Sequence, residues 1–225
     1  MAHPLDNPVW HAIAAAPADL VVRMPRAARF VPDAAPFFGV EAHTPAAYAD
    51  VAKLLGESTE ARFFVAGAVD VPAGWRETLR RPIRQMVLSA TATVSTASHV
   101  EVLTPADVPA MIELAERAKP GPFGARTPEL GRYLGIRARG RLVAMTGERF
   151  TFPGYTEISA VATDAAFRGR GYARDLTLAL AARIRAAGRT PFLHVFPDNR
   201  AAAGLYESIG FVDRAMLQVV WFAPA

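Results

Sequence analysis

The stretch FRGRGYARDL, Phe167 to Leu176, sets Arg168, Arg170 and Arg174 beside Gly169 and Gly171. It runs directly into TLALAARIRAAG (177–188), where Leu176, Leu180 and Ile184 recur at i, i+4 and i+8, the apolar stripe of a helix. The first turn of any helix leaves backbone N–H groups without internal partners, and the helix dipole adds partial positive charge there. Glycine lets the backbone bend sharply and lets a ligand approach those amides. The segment therefore reads as an anion site suited to phosphate or pyrophosphate, with three arginines around its rim. Taken by itself it is equally a solvated arginine turn that precedes a helix. A dinucleotide fingerprint would need glycine at position 174, where arginine stands, and the lysine of a Walker loop is absent. An RNA-binding Arg-Gly segment would repeat, and this one occurs once.

Working outward, YTEISAVAT (155–163) before the loop is rich in β-branched residues and predicts a strand. GIRARG and RLVAMTGERFTF (135–152) predict a hairpin turning at Gly140. Helices are expected over TPADVPAMIELAERAKPG (104–121), capped by Thr104, and from Thr127 in TPELGRYL (127–134). After Gly188 come a strand, PFLHVF (191–196), a helix, NRAAAGLYESI (199–209), and FVDRAMLQVVWF (211–222) as one long strand or two short ones. Together with the short strand VEVL (100–103), the order is β-α-α-β-β-β-α-β-α-β. It predicts a mixed α/β (α+β) sheet domain over residues 99–225.

Residues 1–98 are richer in proline and less regular. TPAAYADVAKLLG (44–56) reads as a helix capped by Thr44, and ARFFVAGAV (61–69) and IRQMVLS (83–89) read as strands. ATATVSTAS (90–98) reads as a connector. This helix and these strands loosely echo the opening of the second region, as a degenerate second copy of its fold would. No glycine-rich helix start accompanies them, since WRETLRRPIRQM (75–86) has no glycine and is interrupted by Pro82.

Of 225 residues, 52% are hydrophobic and 20% charged, the composition of a folded globular chain. There is no cysteine, which excludes disulfides and cysteine-based metal sites or nucleophiles. The opening MAHPLDNPVW lacks a basic segment followed by an apolar one, and no apolar run approaches a membrane span, so a cytoplasmic protein without a membrane partner is expected. The net charge of +4 with arginines and acids alternating suits an anionic small ligand at least as well as nucleic acid, and no nucleic-acid partner is expected. His3, His11, His43, His99 and His194 lack metal-ligand spacing, so no metal is expected.

The pattern Arg168-x-x-Gly171-x-Ala173, after a strand and opening a helix, resembles the acetyl-CoA-binding motif of the GNAT N-acetyltransferase superfamily. LHVFPDNRAAAGLYESIGF (193–211) resembles a second hallmark of that family, matched at Asn199, Ala202, Tyr206, Gly210 and Phe211. The resemblance covers roughly residues 99–222. It implies a mixed central sheet with a splayed strand pair, acetyl-CoA as cosubstrate, and direct acetyl transfer to a primary amine of a small molecule or peptide. A non-catalytic acyl-CoA-binding module on the same fold is the alternative.

The same resemblance implies roles. Backbone amides across Gly169, Arg170, Gly171, Tyr172, Ala173 and Arg174, with Arg168 at the rim, would hold the pyrophosphate. The backbone of Val161, Ala162 and Thr163 would pair with the pantetheine arm, and the amide of Val161 would be the oxyanion donor. Glu157 would be the general base, its pKa raised by partial desolvation. Glu148 is the rival, with an exposed hairpin acid as its plainer reading. Tyr206 would protonate the departing thiolate, and Asn199 would cap its helix and reach the pantetheine arm. The same residues also have plain readings: a solvent-facing or salt-bridged strand glutamate for Glu157, and a packed helix aromatic for Tyr206. His194 is expected in the core or at the cleft edge. The phenylalanines of RFVPDAAPFFGV (29–40) are expected to pack rather than to form a lid.

Overall fold

The computed structural model describes residues 3–225. In chain order its elements are α1 (Pro8–Ala15), β1 (Val21–Arg23), β2 (Ala27–Phe30), β3 (Phe38–Val40), α2 (Pro45–Leu54), β4 (Ala61–Ala66), β5 (Trp75–Leu88) and β6 (Glu101–Val102). They continue with α3 (Val108–Ala118), β7 (Tyr133–Ala138), β8 (Arg141–Phe152), β9 (Tyr155–Thr163), α4 (Tyr172–Ala186), β10 (Thr190–Val195), α5 (Arg200–Ser208) and β11 (Phe211–Pro224). A three-stranded antiparallel sheet, β1-β2-β3, stands beside one eight-stranded sheet ordered β4-β11-β5-β10-β9-β8-β7-β6. The large sheet is mixed: β9 and β10 are parallel across the α4 crossover, and its other neighbours are antiparallel.

The elements arise where their local chemistry directs. Thr44 accepts a hydrogen bond from the Ala47 amide and Pro45 takes the first helical position of α2. Thr104 and Asp107 form a capping box ahead of α3. Arg139 and Gly140 both have positive φ, which makes the tight turn between β7 and β8. Leu176, Leu180 and Ile184 are buried as their spacing predicts, and they belong to the apolar core that α4 shares with β8, β9 and β10. Fully burying one such side chain contributes about 1.5–3 kcal/mol.

Two local expectations change and a third is settled. The Thr-Pro start at Thr127 yields one 3-10 turn, Thr127–Leu130, before β7 begins. Strand β5 begins at Trp75 rather than Ile83 and runs through Pro82. Proline is tolerated there because β10 pairs with β5 only at positions 84–87, so Pro82 faces β10's side without a ladder to break. The final segment is a single strand carrying a bulge between Asp213 and Ala215.

The first 98 residues supply β4 and β5 to the same sheet as the rest, with β5 seated between β10 and β11. Phe30, Phe37 and Phe38 are all buried in packed clusters.

Candidate active site

Strands β9 and β10 begin side by side and then part. Their pairing covers only Thr190↔Tyr155, Pro191↔Thr156 and Phe192↔Glu157, so residues 158–163 have no ladder partner in β10. On its other edge β9 carries an extra residue, where Met145↔Ala162 is followed by Gly147↔Ser159. Ala160 sits in that bulge with φ of 51°, an unusual conformation for a residue with a side chain. The bulge re-aims the backbone immediately before Val161. A splayed sheet with an unpaired edge can accept an extended ligand as it would accept another strand.

Two cavities open into the splay. The first, about 610 Å³, is lined by Val161, Ala162 and Thr163, by every residue from Phe167 to Arg174, and by Asn199 and Tyr206. Gly169 and Gly171 have φ of 76° and 81°, and nothing lies within 4 Å of where a Cβ would stand on either. Gly171 is the N-cap of α4 and no side chain caps that helix, so its first-turn amides face open space. The buried hydroxyl of Thr163 has no hydrogen-bond partner. Open amides, a positive helix end and an orphaned hydroxyl fit a phosphorylated, partly extended ligand.

The second cavity, about 350 Å³, lies on the other side of the splay. Its wall includes Glu157, Ser159, Ala160, His194 and Phe196, and from the first 98 residues Phe37, Arg62, Phe64 and Ile83. The two cavities share Lys119, Pro120, Val161, Asn199, Ala202 and Tyr206 in their linings. Asn199 caps α5 by accepting from the Ala202 amide at 3.2 Å. Burial pushes the Tyr206 phenol up to about 12, so its proton stays on at neutral pH.

Glu157 differs from its expectation. It is fully buried in the cavity wall, and Arg149 donates Nε to Oε2 at 2.8 Å and Nη2 to Oε1 at 2.7 Å. His194 Nδ1 meets Oε1 at 2.7 Å. Burial alone would raise the carboxyl's pKa, but the Arg149 charge and the bonds from His194 and Arg149 outweigh it and hold the group at about 2. The predicted rise is thus reversed, because the desolvated carboxylate has a charged partner. Glu148 is buried rather than exposed, accepts from the Arg132 amide at 3.1 Å, and lines neither cavity.

Arg149 and Gln85 were not foreseen. Arg149 sits at a second bulge, between Glu148↔Ile158 and Thr151↔Thr156, which brings it opposite Glu157. An arginine and a glutamate on consecutive predicted strands, 141–152 and 155–163, are the signal the sequence offers. Gln85 donates Nε2 to Leu5 O at 2.9 Å and contacts His194 Nε2 at 3.1 Å, while its Oε1 accepts from Arg214 at 3.0 Å. Only the structure shows that β5 adjoins β10 and β11, so nothing in the sequence marked this glutamine.

Comparison with known proteins agrees with this geometry. Residues 133–222 match the family model described as FR47-like protein. A stretch of 123 residues is 35% identical to the N-alpha-acetyltransferase RimI of Mycobacterium tuberculosis, covering 50% of this chain and 77% of that one. A stretch of 126 residues is 35% identical to an uncharacterised Mycobacterium leprae protein, of which this chain spans only 34%. A solved structure from Novosphingobium aromaticivorans, assigned to the GNAT acetyltransferase family, is 34% identical with a TM-score of 0.90 and full coverage of both chains. A GCN5-related N-acetyltransferase from Kribbella flavida shares the fold at 18% identity and a TM-score of 0.61, over 95% of this chain and 92% of that one. The splayed mixed sheet, the open helix end and these relatives together place the chain in the GNAT N-acetyltransferase superfamily, as an acetyltransferase.

Proposed function

We propose that the protein transfers acetyl from acetyl-CoA directly to the primary amine of a small molecule or peptide. The observation that carries this reading is the meeting of the two cavities at Val161 and Tyr206. A donor entering from the α4 side and an amine entering from the other meet at one amide and one phenol. The N-alpha specificity named for the mycobacterial relative favours an α-amine among primary amines.

The residues divide the work. The amides from Gly169 to Arg174 hold the pyrophosphate, aided by the dipole of α4 and the charges of Arg168, Arg170 and Arg174. The unpaired edge at Val161, Ala162 and Thr163 takes the pantetheine arm, with Asn199 across the gap. Acetyl-CoA supplies the activated acetyl thioester. The Val161 amide would donate to the thioester oxygen, and a single such donor is worth roughly 3 kcal/mol. Tyr206 holds the proton that the leaving sulfur needs. Glu157 acts as a positioning residue: a carboxylate near pKa 2 with both oxygens engaged draws a proton from an ammonium only weakly. The amine therefore loses its proton to solvent, and Glu157 fixes Arg149 and His194. Residues 99–225 form the transferase portion, and residues 1–98 pack on the acceptor side, where Phe37, Arg62, Phe64 and Ile83 stand.

The test is a panel of amines, amino acids and short peptides with acetyl-CoA, following free thiol. Calorimetry with CoA should give one equivalent per chain. CoA binding without thiol release for any acceptor would return the protein to a binding module.

A further inference from the structure

The acceptor cavity offers hydrogen-bond donors that nothing in the protein fills. The Arg149 side chain is only 10% exposed, and its Nε and Nη2 are spent on Glu157. Its Nη1 makes no hydrogen bond among the described residues, and Arg149 is one of the residues that line the cavity. The rings of Phe37 and Phe150 lie 5.0 and 4.5 Å from it. Trp221 Nε1, on the same wall, is buried without a partner. Lys119, where the two cavities meet, forms no ion pair among the described residues. Glu157 is the only acid on the lining, and both its oxygens are taken.

The arginine cannot turn to satisfy itself. Gln85 Oε1 accepts from Arg214, so its Nε2 is the donor facing His194. His194 Nε2 must then accept, which leaves the ring proton on Nδ1, donated to Glu157. Arg214 is anchored in turn by Asp6 at 2.6 Å. A chain of side chains running from Asp6 through Arg214, Gln85, His194 and Glu157 thus clamps Arg149 with Nη1 left over.

Trp221 Nε1 is a buried donor without an acceptor, which is costly, and Arg149 Nη1 is an unpaired charged donor beside it. The complement that satisfies both at once is an anionic group with two acceptor oxygens. We propose that the acceptor is an amino acid with a free carboxylate, held by Arg149, and an apolar side chain, held against Phe64, Phe196 and Trp221. This rests on the acetyl-transfer reading of the same cleft. A simple alkylamine brings no acceptor oxygen to a donor-rich wall. A protein N-terminus brings only a neutral amide beside its α-amine. The cavity's volume of about 350 Å³ lies at the small end for ligand pockets, which suits a free amino acid.

The experiment compares L-phenylalanine and L-leucine with L-phenylalaninamide, phenethylamine and a phenylalanine-initiated tripeptide, at saturating acetyl-CoA. Losing a charge-assisted hydrogen bond predicts a kcat/KM about 10–100-fold lower for the amide and the amine. In Arg149→Met that ratio should collapse towards one, with KM carrying the change. Because Arg149→Met strips Glu157 of its partner and threatens the fold, the parent's own selectivity decides if that variant is insoluble. Calorimetry of phenylalanine against phenethylamine, with CoA bound, reads the carboxylate preference without turnover. Equal use of acid and amide, or preference for the tripeptide, overturns the proposal. Carboxylate-selective binding without acetylation of any acceptor upholds the carboxylate site and sinks the transferase reading instead.

Discussion

The two halves of this chain build their shares of the cleft from different materials. Residues 155–206 make the proposed donor cavity largely from backbone: open amides at the start of α4, a bulge at Ala160, and an unpaired edge on β9. Residues 1–98 reach the cleft through Phe37, Arg62, Phe64 and Ile83 on the wall and the Gln85 side chain behind it, delivered by segments far apart in sequence. Backbone sites need glycine and helix starts, which leave a local trace. Side-chain sites need only that distant strands become neighbours. The difference teaches that one chain can declare its donor and keep its acceptor hidden.

The largest test of the comparison removes the first half. A fragment of residues 99–225 lacks β5, so the long ladders of β10 and β11 lose their shared neighbour and leave buried strand edges unpaired. We expect it to be insoluble or unfolded by circular dichroism. A folded, active fragment would break the comparison outright.

Next comes Gly171→Glu. It puts a side chain at φ of 81° and a negative charge where anions should bind. We expect at least a 100-fold loss of CoA affinity by calorimetry, with the circular dichroism of the parent. Unchanged CoA binding would mean the open helix end is not the donor site.

Tyr206→Phe should slow turnover by about 100-fold, the low end for a positioned proton donor, while CoA affinity holds. Full activity would reduce the tyrosine to packing against Phe211, whose ring lies 5.9 Å away.

Glu157→Gln sharpens the comparison by joining its halves. The folded pKa near 2 lies below the unfolded value near 4.3, so this carboxylate stabilises the fold above about pH 4.3 and ceases to as pH falls towards 2. Breaking a buried pair costs about 3–5 kcal/mol. Denaturant melts should therefore show the variant weaker at pH 7, with the gap closing in acid. The rate should follow the free amine's titration in parent and variant alike. A parent rate limb near pH 6–7 that the variant lacks would restore Glu157 as the base.

Legibility followed material. The donor-site residues predicted from the Arg-Gly loop and the Asn199 motif all line one cavity, because each is local to a strand end or helix start. Glu157 was found, but the direction of its pKa was not. That sign depends on Arg149, placed opposite by a bulge, and on His194, one strand away across a parallel pairing. Pro82 concealed most of β5, since proline argues against a central strand until the missing ladder beside it is known. No periodicity announces that positions 75–88 lie between 192–195 and 211–224.

That interleaving bears on how the protein is made. Strand β5 finds both its partners about 105–150 residues downstream. A ribosome adds roughly 5–20 residues each second, so β5 waits several seconds or more before β11 exists to pair with it. Contacts so distant in sequence also slow the search for the native state. During that interval its apolar residues Ile83, Met86 and Leu88 stand unshielded. The strand that unites the two halves is therefore a liability of the nascent chain, and a holdase that covers it would raise the yield of active enzyme.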